Sequence, residues 1–327
     1  MFLRQFLICC LLFSKLNADS SWTKQFLADI TGVAEKFVYK QHHVGKHFEL
    51  VVNATETGNR TSLRFQCIEL FRIHASANAL AEYQPPRQPP SVMLHSFTLD
   101  GAVPLHDMFC NEERQNGGSG YYWSAEELDR NGKQPCRCGQ YKKPICGQAI
   151  ASFGDLIKNK SGYVFGTQIP WAESALLAAG AASVTTVEYM TITTDHPRLH
   201  YIHPFNLTAK FLRHHVGADF AWSFSSLEHD GLGRYGDPVN PFGDLESIYR
   251  IHCLLKPGGV LFLGVPVGPD ALYWNAHRIY GPLRLQLALA GWEIMDVVGL
   301  ERRVVSTDHL GDFNHQPVMV LRKPLVA

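Results

Sequence analysis

The stretch over residues 219–268 limits the possible folds most, because it joins two apolar runs through a helical segment and a glycine turn. The apolar runs, 220–224 and 260–265, show no alternation of polar and apolar residues. Strands of this composition are typically buried on both faces, as in a parallel sheet. Pro257 cannot continue the helix, and Gly258 and Gly259 supply the backbone freedom for the turn into the second strand. The stretch therefore predicts a strand–helix–strand unit and an α/β fold.

Strand-like and helix-like segments also alternate from residue 161 onward. We predict seven strands, at 163–165, 184–187, 199–202, 220–224, 260–265, 292–298 and 318–321. Helices are predicted over 171–179, 244–255 and 279–289, with a short one at Phe211 and Leu212. Strands that alternate with helices in this way are typical of a doubly wound, Rossmann-like sheet.

The chain of 327 residues divides by composition into four segments. We predict a signal peptide over 1–18, an N-terminal helical segment over 19–84, a Pro-rich linker and Cys-rich cap over 85–150, and the Rossmann-like domain over 151–327. The cap segment shows little periodicity and many Gly and Pro residues. We therefore expect it to be irregular and held together by disulfides.

The first 18 residues have the features of a secretory signal, since Arg4 precedes an apolar run over 6–13 and Ala18 offers a small residue for peptidase cleavage. The run is too short to cross a bilayer of ~30 Å as a helix, and no other stretch is long and apolar enough to span one. We predict a protein of the secretory-pathway lumen or the extracellular space, with a signal-anchored membrane protein as the alternative. Acceptor patterns for N-glycosylation begin at Asn53, Asn59, Asn159 and Asn206.

Six cysteines follow the predicted signal: Cys67, Cys110, Cys136, Cys138, Cys146 and Cys253. An oxidising compartment favours disulfides over a zinc site, and Cys-x-Cys is an unusual spacing for zinc ligands. We predict disulfides in the cluster over 110–146, with the pairing left open, and a buried free thiol at Cys253.

The formal net charge is zero, so the chain has no basic footprint for nucleic acid and we predict no nucleic-acid partner. The histidines between His196 and His215 match no metal-ligand spacing, and we predict no metal site. The remaining class of partner is a small-molecule or glycan substrate.

The residues that follow the predicted strands are candidates for a binding site, because ligands of an open parallel sheet lie outside the carboxyl ends of its strands. Gly166 allows a ligand to approach the backbone after the first strand. Glu188 follows Gly166 by 22 positions, close to the ~20-residue offset at which an acidic side chain meets a ribose in dinucleotide-binding units. The cofactor-binding residues that we predict are Gly166, Thr167, Gln168, Glu188, Tyr189 and Ser225.

The loop over 225–231, after the fourth strand, would overhang the same edge of the sheet. Its Glu, His and Asp side chains are acid–base groups whose pKa values an enclosed site can tune. We predict His229 and Asp230 as the catalytic residues. Farther along, Tyr273 and Trp274 could either stack on a sugar ring or pack on the cap, and the sequence leaves both open.

These features together resemble a known family. The strand over 220–224, the Glu228–His229 loop, the turn over 255–259 and the seven-strand pattern look like class I S-adenosylmethionine-dependent methyltransferases. More narrowly, residues 222–280 together with 170–174 resemble the uncharacterised domain-of-unknown-function 268 family. The resemblance implies the methyltransferase-type strand order 3-2-1-4-5-7-6 with an antiparallel seventh strand. It also implies S-adenosylmethionine lying over Gly166, Glu188 and the loop after the fourth strand.

The first hypothesis is a methyltransferase of the secretory pathway that uses S-adenosylmethionine to methylate a hydroxyl, for example on a glycan. His229 would take the acceptor proton, aided by Asp230. Methyltransferases usually carry two or three glycines after the first strand, whereas this chain has bulky residues over 167–170. That departure motivates the alternative of a non-catalytic, degenerate Rossmann-like binding protein. A second alternative is a sugar-nucleotide glycosyltransferase of the metal-independent kind, since the chain has no Asp-x-Asp pair.

Overall fold

The structure, a computed structural model, describes residues 60–77, 85–110, 120–300 and 315–325. Within these ranges the strands are β1 (Leu105–Met108), β2 (Tyr121–Trp123), β3 (Ser161–Phe165), β4 (Ser183–Val187), β5 (Ile192–Thr194), β6 (Leu199–Ile202), β7 (Ala218–Phe224), β8 (Leu255–Gly264), β9 (Ala271–Asn275), β10 (His277–Ile279), β11 (Glu293–Val298) and β12 (Val318–Arg322). The helices are α1 (Arg60–Ala77), α2 (Leu94–Phe97), α3 (Ala125–Gly132), α4 (Ile145–Ser152), α5 (Trp171–Ala178), α6 (Pro204–His214), α7 (Gly243–Leu254) and α8 (Pro282–Leu289). The predicted signal peptide, Asn53 and Asn59 lie outside the described residues.

A seven-stranded sheet forms the centre of the molecule, in the order β11-β12-β8-β7-β3-β4-β6. The strands from β8 to β6 in this order pair in parallel, and β12 runs antiparallel to both β8 and β11. Numbered along the chain within this sheet, the order is 3-2-1-4-5-7-6 with an antiparallel seventh strand. The predicted fold class and the strand order implied by the resemblance are therefore confirmed.

Helices cover both faces of this sheet, which explains why its strands lack polar and apolar alternation. Phe211 of α6, Leu245 of α7 and Leu285 of α8 are buried in the core on one face. Leu128 of α3 and Leu176 of α5 are buried in the core on the other face. In the described part of the chain, these two layers cover the faces of the sheet, and a ligand would meet the ends of the strands.

Helix α1 is fastened to the face formed by α6 and α7. A disulfide joins Cys67 of α1 to Cys253 of α7, and the rings of Phe71 and Phe211 stack with centroids 3.9 Å apart. The prediction of a free thiol at Cys253 is therefore wrong. Its partner lies 186 positions away in the sequence, and no local pattern around Cys253 indicates a pairing over that distance.

The segment over 85–150 is less irregular than expected. Strand β1 pairs with β9 in a three-stranded sheet with β10, and β2 pairs with β5. Of the cysteines in this segment, Cys138 and Cys146 form a disulfide, whereas Cys110 and Cys136 are free thiols. The predicted disulfide-stapled cap thus contains one disulfide within the described residues.

The aromatic pair after β8 packs on this cap. The indole nitrogen of Trp274 donates a hydrogen bond to the carbonyl oxygen of Pro86 at 3.0 Å, and the side chain is 1% exposed. The Tyr273 ring lies between the rings of His106 and His277, with centroid distances of 4.6 and 4.9 Å. Both faces of Tyr273 are covered, so neither ring is available to stack on a sugar.

Among the described helices, none has the length and apolar character needed to cross a membrane.

Candidate functional site

A cavity of about 230 Å³ lies at the carboxyl ends of β3, β4 and β7. All eight residues that the sequence predicts for the site line it: Gly166, Thr167, Gln168, Glu188, Tyr189, Ser225, His229 and Asp230. The structure thus brings the predicted cofactor-binding and catalytic groups to one place. The role of each residue stays a prediction.

The turn after β3 places bulky residues at the wall of the cavity. Gly166 has a φ of +67°, and a Cβ there would collide with the side chain of Ser226. The Thr167 hydroxyl donates to the carbonyl oxygen of Ile169 at 2.7 Å, which tightens the turn. Gln168 and Ile169 line the cavity, and Ile169 is 61% exposed. The bulky residues after β3 therefore form part of the wall, and a cavity of about 230 Å³ remains beside them.

Glu188 places a carboxyl group at the end of β4. Its Oε1 accepts hydrogen bonds from the backbone N–H groups of Tyr189 and Met190, at 2.7 and 3.4 Å. Burial raises the pKa of Glu188 to about 7, against the opposing effect of these hydrogen bonds. The buried Glu188 carboxyl offers oxygen acceptors for ribose hydroxyls, and the Tyr189 side chain, which also lines the cavity, offers an aromatic ring for a base. The residues present therefore fit a nucleoside cofactor.

His229 presents one defined nitrogen as a hydrogen-bond acceptor. Its Nδ1 bonds to the carbonyl oxygen of Ala276, and because a carbonyl only accepts, Nδ1 carries the proton. The Nε2 atom is then the unprotonated nitrogen, and it lies 3.5 Å from Oε1 of Glu228. Burial, followed by the positive charge of Arg234, lowers the pKa of His229 to about 3. The imidazole is therefore neutral at physiological pH.

Asp230 differs from His229 in its protonation near neutral pH. Burial, followed by the negative charge of Asp237, raises its pKa to about 7. The Ser247 hydroxyl donates to Oδ2 of Asp230, and Nη2 of Arg250 donates to Ser247 Oγ at 2.7 Å. This chain of donors fixes the direction of the Asp230 carboxyl group.

Buried polar contacts hold the loop that carries these two residues. Arg278, 1% exposed, donates to the carbonyl oxygens of Glu228 and Asp230 at 3.2 and 2.6 Å. The Asp237 carboxylate accepts from the N–H of Gly231 at 2.7 Å and from two further backbone N–H groups. Asp237 is thus a loop-organising residue. A loop fixed in this way can position a side chain more precisely than a solvated one.

Several cavity residues have no signal in the sequence that points to them. Tyr141 comes from the cap, His74 from α1 and Arg250 from the middle of α7. His74 Nδ1 lies 2.7 Å from the Thr208 hydroxyl of α6. They reach the cavity only through long-range packing, so a search of strand ends could not find them.

Among the described residues, no group of three or more His, Cys, Asp or Glu side chains is arranged to hold a metal ion.

Glu173 on α5 is a buried carboxyl group near the site. It is 0% exposed, its Oε1 accepts from the Thr186 hydroxyl at 2.8 Å, and burial raises its pKa to about 8. A carboxyl whose pKa is raised on folding holds a proton that the unfolded chain has released. Its contribution to stability is therefore complete below the ordinary pKa of 4.5 and is lost as the pH rises to about 8.

We expect Glu173→Gln to weaken this pH dependence. Between about pH 6.5 and 8, the free energy of unfolding of the variant should fall by about 2 kcal/mol less than that of the unchanged protein, since one pKa unit corresponds to about 1.4 kcal/mol. Urea denaturation at several pH values measures this difference. Glu127→Gln, on the partly exposed start of α3, is the control and should leave the pH dependence unchanged. If the free energy of unfolding of Glu173→Gln and that of the unchanged protein changed equally with pH, the expectation would be contradicted.

Residues 159–319 match the model of the family described as "Caenorhabditis protein of unknown function, DUF268". The resemblance to this family that the sequence suggests is therefore confirmed for this part of the chain. A search of curated proteins finds no match.

Solved structures with a similar arrangement include methyltransferases. A 1,6-didemethyltoxoflavin-N1-methyltransferase from Burkholderia thailandensis, crystallised with S-adenosylhomocysteine, has a TM-score of 0.41 and 19% identity over 57% of this chain and 79% of that chain. The N-methyltransferase NodS from Bradyrhizobium japonicum, also with S-adenosylhomocysteine, has a TM-score of 0.35 and 11% identity over 61% and 97%. The [4+2]-cyclase SpnF has a TM-score of 0.36 and 16% identity over 61% and 92%. These scores are low, so the fold class rests on the strand order itself.

Proposed function

We propose that this chain, whose residues 159–319 carry the DUF268 domain, is an S-adenosylmethionine-dependent methyltransferase. The observation that carries the proposal is the convergence of eight predicted residues on one cavity, at the carboxyl edge of a sheet with the strand order 3-2-1-4-5-7-6. Ligands of such sheets bind at this edge.

The cofactor would lie over the ends of β3, β4 and β7 and would supply a methyl group on a sulfonium centre. Glu188 would accept hydrogen bonds from its ribose hydroxyls, and Tyr189 would contact its base. The remaining cofactor-binding residues that we propose are Gly166, Thr167, Gln168 and Ser225. Holding two reactants in line at a fixed distance supplies much of the acceleration in a transfer of this kind.

The acceptor that we propose is a hydroxyl group, on a small molecule or a glycan. His229 Nε2 would accept the hydrogen bond of this hydroxyl and orient its oxygen. A ring with a pKa of about 3 is a weak proton acceptor, whereas a carboxyl with a pKa of about 7 is matched to neutral pH. In place of the expected proton transfer to His229, we therefore propose that Asp230 takes the proton as the methyl group is transferred and that His229 is the orienting group.

We also propose that the chain works in the secretory-pathway lumen or outside the cell, with a signal-anchored form as the alternative. Two disulfides, Cys67–Cys253 and Cys138–Cys146, are typical of oxidising compartments. The glycosylation acceptors Asn159 and Asn206 are both exposed. Asn206 lies in the first turn of α6, two positions before Thr208 at the cavity wall.

Titration calorimetry with S-adenosylmethionine and S-adenosylhomocysteine tests the cofactor, and transfer of a labelled methyl group to luminal glycans and small molecules tests the reaction. We expect saturable binding of both ligands. Asp230→Asn should keep S-adenosylhomocysteine binding and lower methyl transfer by about 100-fold or more. Absence of heat at saturating protein would remove the cofactor from the proposal.

A binding protein without catalysis is the second candidate, because the Ser226 side chain packs where a Cβ of Gly166 would stand. This contact uses the space that a glycine otherwise leaves for a ligand. Retained cofactor binding without methyl transfer to any acceptor would favour this candidate. Binding of a uridine-diphosphate sugar in place of S-adenosylmethionine would favour the glycosyltransferase alternative.

A further inference from the structure

The cap contributes a closed loop to the cavity wall. Residues 138–146, called the disulfide loop here, are joined at their ends by the Cys138–Cys146 bond, and both cysteines are 0% exposed. Cys138 and the three residues after it line the cavity. The N–H of Cys138 donates to the carbonyl oxygen of Lys143 at 2.9 Å, so the loop is also closed by a backbone hydrogen bond.

The disulfide loop packs directly on the rim of the sheet. Gly139 has a φ of +45°, and a Cβ there would lie 2.9 Å from the indole nitrogen of Trp171, at the start of α5. Tyr141 contacts the Phe224 ring edge-on, with centroids 6.0 Å apart, and its hydroxyl lies 2.8 Å from Ser225 Oγ. The loop therefore packs on the start of α5 and on the end of β7, where Ser225 lies, and it lines the same cavity as Gly166.

A series of polar contacts leads from this loop to the catalytic side of the cavity. Ser225 Oγ donates to Oε1 of Glu228 at 2.9 Å, so the Tyr141 hydroxyl is the donor in its own contact with Ser225. Burial raises the pKa of Glu228 to about 8, so the group is a neutral carboxyl near pH 7, and its Oε1 lies 3.5 Å from the unprotonated Nε2 of His229. Glu228 is 1% exposed, so this series runs through the interior and is shielded from solvent.

We propose that the disulfide loop is a fixed lid over the cofactor end of the cavity, and that Tyr141 is a positioning residue that orients His229 through Ser225 and Glu228. This inference rests on the proposed function for the identity of the cofactor. The disulfide holds Tyr141 against the sheet before a ligand binds. A ligand then meets an ordered wall and avoids the entropic penalty of ordering the loop.

Calorimetry with S-adenosylhomocysteine, which needs no acceptor, tests the role of Tyr141. We expect Tyr141→Phe to weaken binding by about 2- to 10-fold, the range for one lost hydrogen bond. In ¹⁵N spectra of labelled histidine, the His229 ring nitrogens should shift in this variant. Tyr122→Phe, which removes the hydroxyl of a side chain 61% exposed and outside the cavity, should change neither quantity.

The double variant Cys138→Ser/Cys146→Ser tests the lid. We expect binding at least about tenfold weaker than in the unchanged protein, since the loop must now be ordered on binding. The circular dichroism spectrum checks that the variant is folded. If the unchanged protein binds S-adenosylhomocysteine and neither Tyr141→Phe nor the double variant alters affinity or the His229 spectrum, the inference is wrong. If the unchanged protein itself does not bind, the proposed function fails, whereas a His229 shift in Tyr141→Phe would still support the positioning role.

Discussion

Asp244→Ala is expected to lower the free energy of unfolding by about 3–5 kcal/mol, which is the cost of removing one partner from a buried ion pair. Asp244 is 0% exposed and accepts from Nε and Nη2 of Arg284, at 2.7 and 2.5 Å. The Tyr280 hydroxyl donates to the same carboxylate at 2.7 Å. Alanine would leave the buried guanidinium groups of Arg284 and Arg278 without their common counter-charge.

Urea denaturation measures this loss, and the chain contains a matched control. Asp219 pairs with Lys256 at 2.7 Å, but both side chains are partly exposed, at 23% and 55%. Asp219→Ala should therefore cost less than about 1 kcal/mol, as exposed ion pairs do. Equal losses in the two variants would mean that burial does not determine the contribution of the Asp244 pair. Because Arg278 also holds the loop of His229 and Asp230, the Asp244 variant should lose cofactor binding as it loses stability.

Replacing the long-range disulfide, in Cys67→Ser/Cys253→Ser, should lower the free energy of unfolding by about 4–5 kcal/mol. The bond closes a loop with a sequence separation of 186, and the chain entropy that it removes from the unfolded state grows with loop length. Helix α1, which supplies Phe71 and His74 to the cavity, would then be held by packing alone. Cofactor affinity should fall together with stability.

The shorter disulfide provides the comparison for this prediction. Cys138 and Cys146 are 8 positions apart, so removing their bond should cost about 2–3 kcal/mol by the same relation. Each single serine variant at Cys67 or Cys253 should lose as much as the double variant, because either one breaks the bond. A loss at the long-range pair no larger than at the short one would contradict the loop-length explanation.

The sequence predicts the central sheet well because each strand carries its own evidence. The run over 260–265 is apolar on both faces, so the centre of β8 follows from local residues alone, although the strand begins at Leu255 and includes the predicted glycine turn. Glu188 and His229 are found for the same reason, since Glu188 directly follows β4 and His229 lies in the loop after β7. The rim of a parallel sheet then brings them together without knowledge of side-chain packing.

Residues brought in from distant segments could not be predicted in this way. Cys253 forms a disulfide with Cys67 of α1, and nothing in the sequence of α7 identifies that partner. Tyr141 reaches the cavity from a segment whose sequence shows little periodicity. The acid–base balance between His229 and Asp230 also depends on burial, which the order of residues in the loop does not give. The site predicted from the sequence therefore does not include the contribution of the cap, the contribution of helix α1 or the protonation states of His229 and Asp230.

The covalent link between α1 and α7 also affects how the chain behaves when its backbone is cut. A protease that cleaves one peptide bond anywhere between residues 67 and 253 produces two polypeptides that remain joined through sulfur. Such a nicked molecule keeps its mass apart from one added water, and its pieces separate only after reduction. We therefore expect the protein to remain one covalent molecule after a single cut in this range.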